Sequence, residues 1–291
     1  MTIAAATPFI WQSARVLEQR RFLALFADGP VEPVLTCLDG YRCVDGGYGF
    51  ALEPDGRGPG SQPVAALFAL AIAEQLGGIS RVAERLDGYF SSVTCPDGGL
   101  RFVDPAIDGY PRAPWWQFTE EPVGSLIPTA NILGILHRAG VEQKWMDAAT
   151  EFCWAAIDRL TSTHPYELNA CVQFLDAFSS DRAVEAAARL GRICREQELV
   201  ALPAGGGEVP GGTHEERFFP HLYASSPVSH AARWFSAEEL AWSLDLLAAE
   251  QQPDGGWPVP WAVWTPVVEH EWRPVLTIDA LCTLRAYGRA I

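Results

Sequence analysis

The sequence predicts an all-α fold, an α/α toroid of five to six helix pairs, with residues 1–291 forming one domain. Three observations carry this expectation. A short turn sequence recurs at a spacing near fifty residues. Charged and apolar helical stretches alternate along the chain. The apolar stretches tend to open on proline.

The turn is Asp-Gly-Gly followed by an apolar residue. It stands at Asp45-Gly46-Gly47-Tyr48, at Asp97-Gly98-Gly99-Leu100 and at Asp254-Gly255-Gly256-Trp257. The first two copies are 52 residues apart and the last two are 157 apart, close to three such steps. A fixed period of this size marks a repeat architecture, in which each unit buries its apolar face against its neighbours. One missing copy falls near 205, at Gly205-Gly206-Gly207, and the other near 149, inside a continuous helical pattern. Glycine suits these turns because it accepts the left-handed backbone that ends a helix.

The helices divide into two kinds. The stretch from Ser236 to Gln251 has a capping box in Ser236 and Glu239, and places Leu240, Leu244 and Leu247 on one face. Such one-sided helices suit an outer layer. The others open near Pro63, Pro128, Pro165 and Pro274 and are apolar nearly all round, so they belong inside. Inner helices are expected at 63–76, 128–139, 165–179, 217–232 and 274–288, the fourth interrupted by Pro220 and Pro227. A helix over 10–27 is left to close the ring.

Composition narrows the function classes. At 48% hydrophobic, the 291 residues can bury a sizeable core. A net charge of -15 opposes binding to phosphate backbones, so nucleic acid is excluded as a partner and anionic membranes are disfavoured. The N-terminus has no basic and apolar leader pattern, and no long apolar run follows, which points to a cytoplasmic protein without a membrane span. The seven cysteines include no CxxC pair and read as buried apolar residues. Oligomeric state is not encoded legibly.

Long loops are expected at 49–62, 101–127 and 258–273, and loops on a rigid scaffold are where binding residues gather. Trp115, Trp116, Trp261, Trp264 and Trp272 fall in them, with Trp257 at the edge. These rings either pack the loops down or enclose an apolar ligand, whose cationic form a π face can stabilise. Two titratable groups accompany them: Glu53, Asp55 and Arg57, and the run Glu269-His270-Glu271-Trp272-Arg273. Each is either a surface ion-pair cluster or an acid/base centre. Asp279 lies in an apolar stretch and needs either a structural partner such as Arg273 or a role facing a cavity. Asn131, Glu167, Asn169 and Gln173 stand near the starts of apolar helices as polar lining. His214, Glu215, Glu216, His221 and His230 crowd around Tyr223 without a metal spacing. The candidate catalytic residues are therefore Asp279, His270, Glu271 and Glu53. The candidate ligand-binding residues are Trp115, Trp116, Trp264, Trp272, Asn131, Asn169 and Arg57. No phosphate-loop, GxSxG, HExxH or dinucleotide fingerprint occurs, and no cofactor or metal is expected.

Gln251-Gln252-Pro253-Asp254-Gly255-Gly256-Trp257 has the spacing Gln-x3-Gly-x-Trp. It resembles the QW repeat of squalene–hopene cyclase-like terpene cyclases. The Asp-Gly-Gly-aromatic element is also similar to the β-subunits of protein prenyltransferases. The resemblance covers the repeats from about 31 to 288. It implies an apolar, terpenoid-like ligand in a toroid cavity and acid-initiated cyclisation or isomerisation, the chemistry of an isomerase or lyase. The chain departs from the family in lacking the Asp-x-Asp-Asp motif. Thr277-Ile278-Asp279 is its nearest remnant, and Thr129-Ala130 matches only its tail. Asp279 and Cys282, with His270 or His230, do not match the zinc pattern of the prenyltransferases. Two alternatives stand beside the enzyme reading: a non-catalytic binding or scaffold toroid, and a carbohydrate-active hydrolase or lyase with paired carboxylates.

Overall fold

The computed structural model describes residues 2–213 and 215–291; His214 lies outside the described residues. In chain order the helices are α1 (Ile3–Ser13), α2 (Val16–Phe26), α3 (Glu32–Asp39), α4 (Pro63–Gln75), α5 (Ile79–Val93), α6 (Leu126–Arg138), α7 (Trp145–Arg159), α8 (Pro165–Leu175), α9 (Asp181–Glu196), α10 (Pro220–Tyr223), α11 (Ala237–Ala249) and α12 (Pro266–Ala286). Short 3-10 turns stand at Pro105–Ile107 and His230–Trp234. Among the described residues, β pairing is confined to isolated bridges. The fold is all-α. Contacts gather the chain into two compact units, residues 28–160 and residues 1–27 with 161–291.

In the 28–160 unit, α4 lies against α5 and α6, and α6 against α7. Nine of the thirteen α6 residues are buried, as an apolar helix with no solvent face requires. By contrast, α5 buries one stripe, Val82, Ala83, Leu86, Tyr89 and Phe90. Arg138 on α6 makes a bidentate pair with Glu74 on α4, at 2.9 and 3.1 Å. In the other unit, α8 lies against α9, and α12 against α1, α2 and α11. Its core includes Phe9, Ile10, Phe22, Leu244, Trp257, Ile278 and Leu281.

The three Asp-Gly-Gly turns share one geometry. Oδ1 of Asp45, Asp97 and Asp254 accepts the N–H of the second glycine at 3.0 Å each time. The first glycine has φ of 91, 92 and 96°, where a side chain is strained. The second glycine presses on an aromatic ring of a neighbouring helix. A Cβ on Gly47, Gly99 or Gly256 would lie 2.9, 2.9 or 2.6 Å from Tyr89, Phe152 or Phe9. Tyr89 is on α5 and Phe152 on α7, but Phe9 is on α1. Against the last turn, then, the first helix of the chain takes the place that the next outer helix takes against the earlier two. Thr2 N donates to Gln251 Oε1 at 3.0 Å, and Gln251 Nε2 donates to Thr2 O at 3.2 Å.

Several boundaries differ from expectation. The 10–27 helix is two helices, α1 and α2, parted by extended Ala14 and Arg15. No helix fills 217–232. Only α10 and the 230–234 turn form there, since prolines 220 and 227 bracket a Ser-Ser stretch. Pro274 does not open α12. Thr265 caps it by accepting from Val268 N, Pro266 takes its first position, and the helix runs on through Pro274. The expected 258–273 loop thus ends at residue 265. The chain passes residue 149 within α7, as the sequence pattern requires. Near 205, Gly205, Gly206 and Gly207 all have positive φ.

Candidate functional site

Residues 49–62 follow the first Asp-Gly-Gly turn and stay non-helical. Pro54, Gly56, Gly58, Pro59 and Gly60 explain why: too few residues in a row favour helix. The loop is nonetheless tightly determined. Phe50 and Ala51 both have positive φ, 55 and 59°, although neither is glycine. Such residues cost about 1–3 kcal/mol each and persist only where their surroundings enforce them. Here Phe50 N donates to Gly58 O at 2.8 Å, Leu52 N donates to Gly49 O at 3.1 Å, and Leu52 is fully buried.

The loop's next residues are acidic and buried. Glu53 is 5% exposed and Asp55 4%. Glu53 Oε2 accepts the Asp55 backbone N–H at 3.0 Å. A second loop closes over them: Ala113 N donates to Asp55 O at 2.9 Å and Arg57 N to Pro111 O at 3.1 Å. The Trp116 ring lies on Gly56, so near that a Cβ there would come within 2.3 Å of it. Gln62 clasps Asp104 with two hydrogen bonds, of 3.1 and 2.8 Å. Structure thus brings together Glu53, Asp55, Arg57 and Trp116, all singled out in the sequence. Trp115, next to the buried Trp116, is 41% exposed. Asn131 is spent locally, its Nδ2 donating to Ile127 O at 2.8 Å.

The predicted residues of the other unit are arranged differently. Asp279 is not a buried acid: its side chain is 49% exposed and accepts from Arg21 Nη2 at 2.5 Å. Arg21 is the buried member, and Asp279 serves as its counter-ion. Arg273, the partner expected for Asp279, instead grips Asp254 with both Nη atoms at 2.8 Å. Glu269 and His270 are exposed and Glu271 half-buried on the first turns of α12, not in a loop. Trp272 is buried in that helix and meets Trp261 edge-on at 5.0 Å. Trp264 is partly buried, and Asn169 Oδ1 is buried with no hydrogen-bond partner. His230 Nε2 stands 2.9 Å from Phe178 O and its backbone N–H is held by Asp176. Among the described residues, no three His, Cys, Asp or Glu side chains converge as metal ligands.

Two polar pairs in this unit were not foreseen. Tyr166 donates its hydroxyl to Glu216, 7% exposed, at 2.7 Å. His221 is buried, its Nδ1 2.6 Å from Ser243 Oγ, and burial lowers its pKa to about 4. The imidazole is therefore neutral at pH 7. His221 and Glu216 were visible as a dense polar stretch, but Ser243, in the middle of α11, had no signal of its own.

No protein-family description matches the chain, and no curated protein matches it. Among solved structures, the chain is similar to the apo form of the type II terpene cyclase MstE from Scytonema. The TM-score is 0.55 at 13% identity, covering 98% of this chain and 87% of that one. A structure described as a wild-type glycosidase matches at a TM-score of 0.41 and 15% identity, over 88% of this chain and 95% of that one; a likeness so slight carries no argument. At 13% identity the first match shows the fold, a terpene cyclase-like α/α toroid, and not the activity. Among the described residues, no helix is long and apolar enough to cross a membrane.

Proposed function

We propose that this chain is an enzyme acting on an apolar, isoprenoid-type small molecule by acid-initiated cyclisation or isomerisation, with the Glu53–Asp55 loop as its acid centre. One observation carries the reading. Glu53 and Asp55, two residues apart, are buried in a loop that Trp116 covers at Gly56 and that opens on left-handed Phe50 and Ala51. A burial so costly to build is typical of sites kept for chemistry.

The chemistry balances without a co-reactant. A protonated carboxyl group gives its proton to an alkene carbon and becomes a carboxylate. The π electrons of a second alkene close a ring onto the resulting cation. Loss of a proton from carbon to a carboxylate then ends the reaction as an isomerisation. Glu53 and Asp55 are the proton donor and acceptor in this scheme. The Trp116 and Trp115 rings offer π faces to the cation. Asp279, His270 and Glu271 are left to structure and surface.

The test is incubation of the purified protein in D2O with acyclic isoprenoids, squalene and farnesol among them, followed by gas chromatography–mass spectrometry. The expected product is a cyclic isomer carrying deuterium, lost in Glu53→Gln and Asp55→Asn and retained in Asp279→Asn. Deuterated product undiminished in the Glu53→Gln/Asp55→Asn double variant would overturn the assignment.

A further inference from the structure

The 161–291 part of the second unit carries a groove of about 380 Å³ between α9 and the 230–234 turn. Small-ligand clefts typically span about 300–1,000 Å³. Its floor is apolar, formed by Ala187, Ala188, Gly191 and Trp234. Gly191 seats the Trp234 ring on bare helix backbone, since a Cβ there would lie 2.6 Å from it.

The charges at its rim are unusual for this chain. Acidic residues outnumber basic ones 36 to 21, and most arginines meet a carboxylate or a backbone carbonyl of another element. Arg192 and Arg233, both exposed and both lining the groove, do not. Arg192 reaches only the carbonyl of Ala188 in its own helix, at 3.4 Å. Arg195, also in the groove, is already neutralised by Glu239, at 2.6 and 2.7 Å. Against the two unmatched guanidinium groups stands one carboxylate, Glu196. The groove therefore keeps an excess of one positive charge over an apolar floor. Trp234 Nε1 is buried beside Gly191 and meets no acceptor.

We infer that this groove binds a single-tailed organic carboxylate, its head between Arg192 and Arg233 and its tail along Ala188 and the Trp234 ring. Guanidinium forks match carboxylates bidentately, and Arg stacks readily beside aromatic rings, so this rim suits that head group. The site would be additional to the acid loop and does not rest on its activity.

Sodium octanoate is the probe, titrated into the full chain by calorimetry, with octanol and octylammonium as matched tails. Octanoate is expected to bind one to one, at least about tenfold tighter than either control. Arg192→Gln/Arg233→Gln should weaken it by about tenfold or more. Ala188→Trp, an exposed position, should fill the groove and abolish binding without disturbing the core. In ¹⁵N-indole spectra, the resonance that disappears in Trp234→Phe should be the one octanoate shifts most. Equal binding of octylammonium, no binding of octanoate, or affinity unchanged by Ala188→Trp would each overturn the inference. So would capture of the protein by phosphatidylserine vesicles with no binding of free octanoate.

Discussion

The segment after the first Asp-Gly-Gly turn and the segment after the last begin alike and end differently. Both carry two acids and more than one proline. After the first turn, residues 49–62 fold into a non-helical loop that buries Glu53 and Asp55. After the last, the chain regains helix at Pro266 and leaves Glu269 and His270 in solvent. The difference lies in the breakers. Gly56, Gly58 and Gly60 interrupt the first segment at every second residue, whereas Val267 to Arg273 contains neither glycine nor proline. A helix once started at a good cap propagates through such a stretch and even tolerates Pro274. Local backbone chemistry, not the density of titratable residues, decides which acids are buried.

Substitutions can break or sharpen that comparison. The largest effect is expected at the turns. A Cβ on Gly255 would come within 1.9 Å of Ala5 O, but one on Gly46 stays 3.1 Å from Arg85 O. Gly255→Ala should cost about 3 kcal/mol or more, and Gly46→Ala about 1–2 kcal/mol, mainly from its left-handed backbone. Urea denaturation of the two variants measures the gap, and equal losses would contradict the tighter seat of the last turn.

Next come the acids themselves. Glu53→Ala leaves the buried Asp55 N–H without this acceptor and should cost about 1–3 kcal/mol, while Glu269→Ala should stay within about 0.5 kcal/mol of the parent. Thermal melts at pH 7 suffice to rank them.

The smallest effect distinguishes how each turn is anchored. Asp254 is paired with Arg273, whose hydrogen bonds hold its pKa below the ordinary value. Asp45 instead accepts from the neutral Ser61 hydroxyl at 2.5 Å. Asp254→Asn keeps the turn but loses the ion pair, for about 0.5–1 kcal/mol at low salt and less at 1 M. Because the folded-state pKa is depressed, that contribution is present above the unfolded value of about 3.9 and fades as pH falls below it. Asp45→Asn should show no comparable salt dependence across the same titration.

The repeat plan was legible because it rests on local signals. Positive-φ glycines, a proline at a helix start and a capping box each act within a few residues, and Ser236 and Glu239 form both halves of their box. Boundaries failed where two signals competed. Pro274 read as a start because proline is welcome there, but Thr265 and Pro266 offered a better one just upstream. For the site, the sequence singled out Glu53, Arg57 and Trp116 by composition alone. It did not reveal that Asp279 answers Arg21, 258 positions earlier, because such a pairing depends on how α12 packs on α2. Ser243 and its contact with His221 were hidden for the same reason: a side chain's partner across two helices leaves no periodicity.

The seating of α1 against the last turn has a consequence for the order of events in synthesis. Phe9 is synthesised well before Gly256, the glycine it covers. Until then Phe9 and Ile10 lack the α11 and α12 part of their core. Contacts closed over so long a span form late and slowly. The nascent chain must therefore carry the apolar face of α1 uncovered until the Asp254 turn is made.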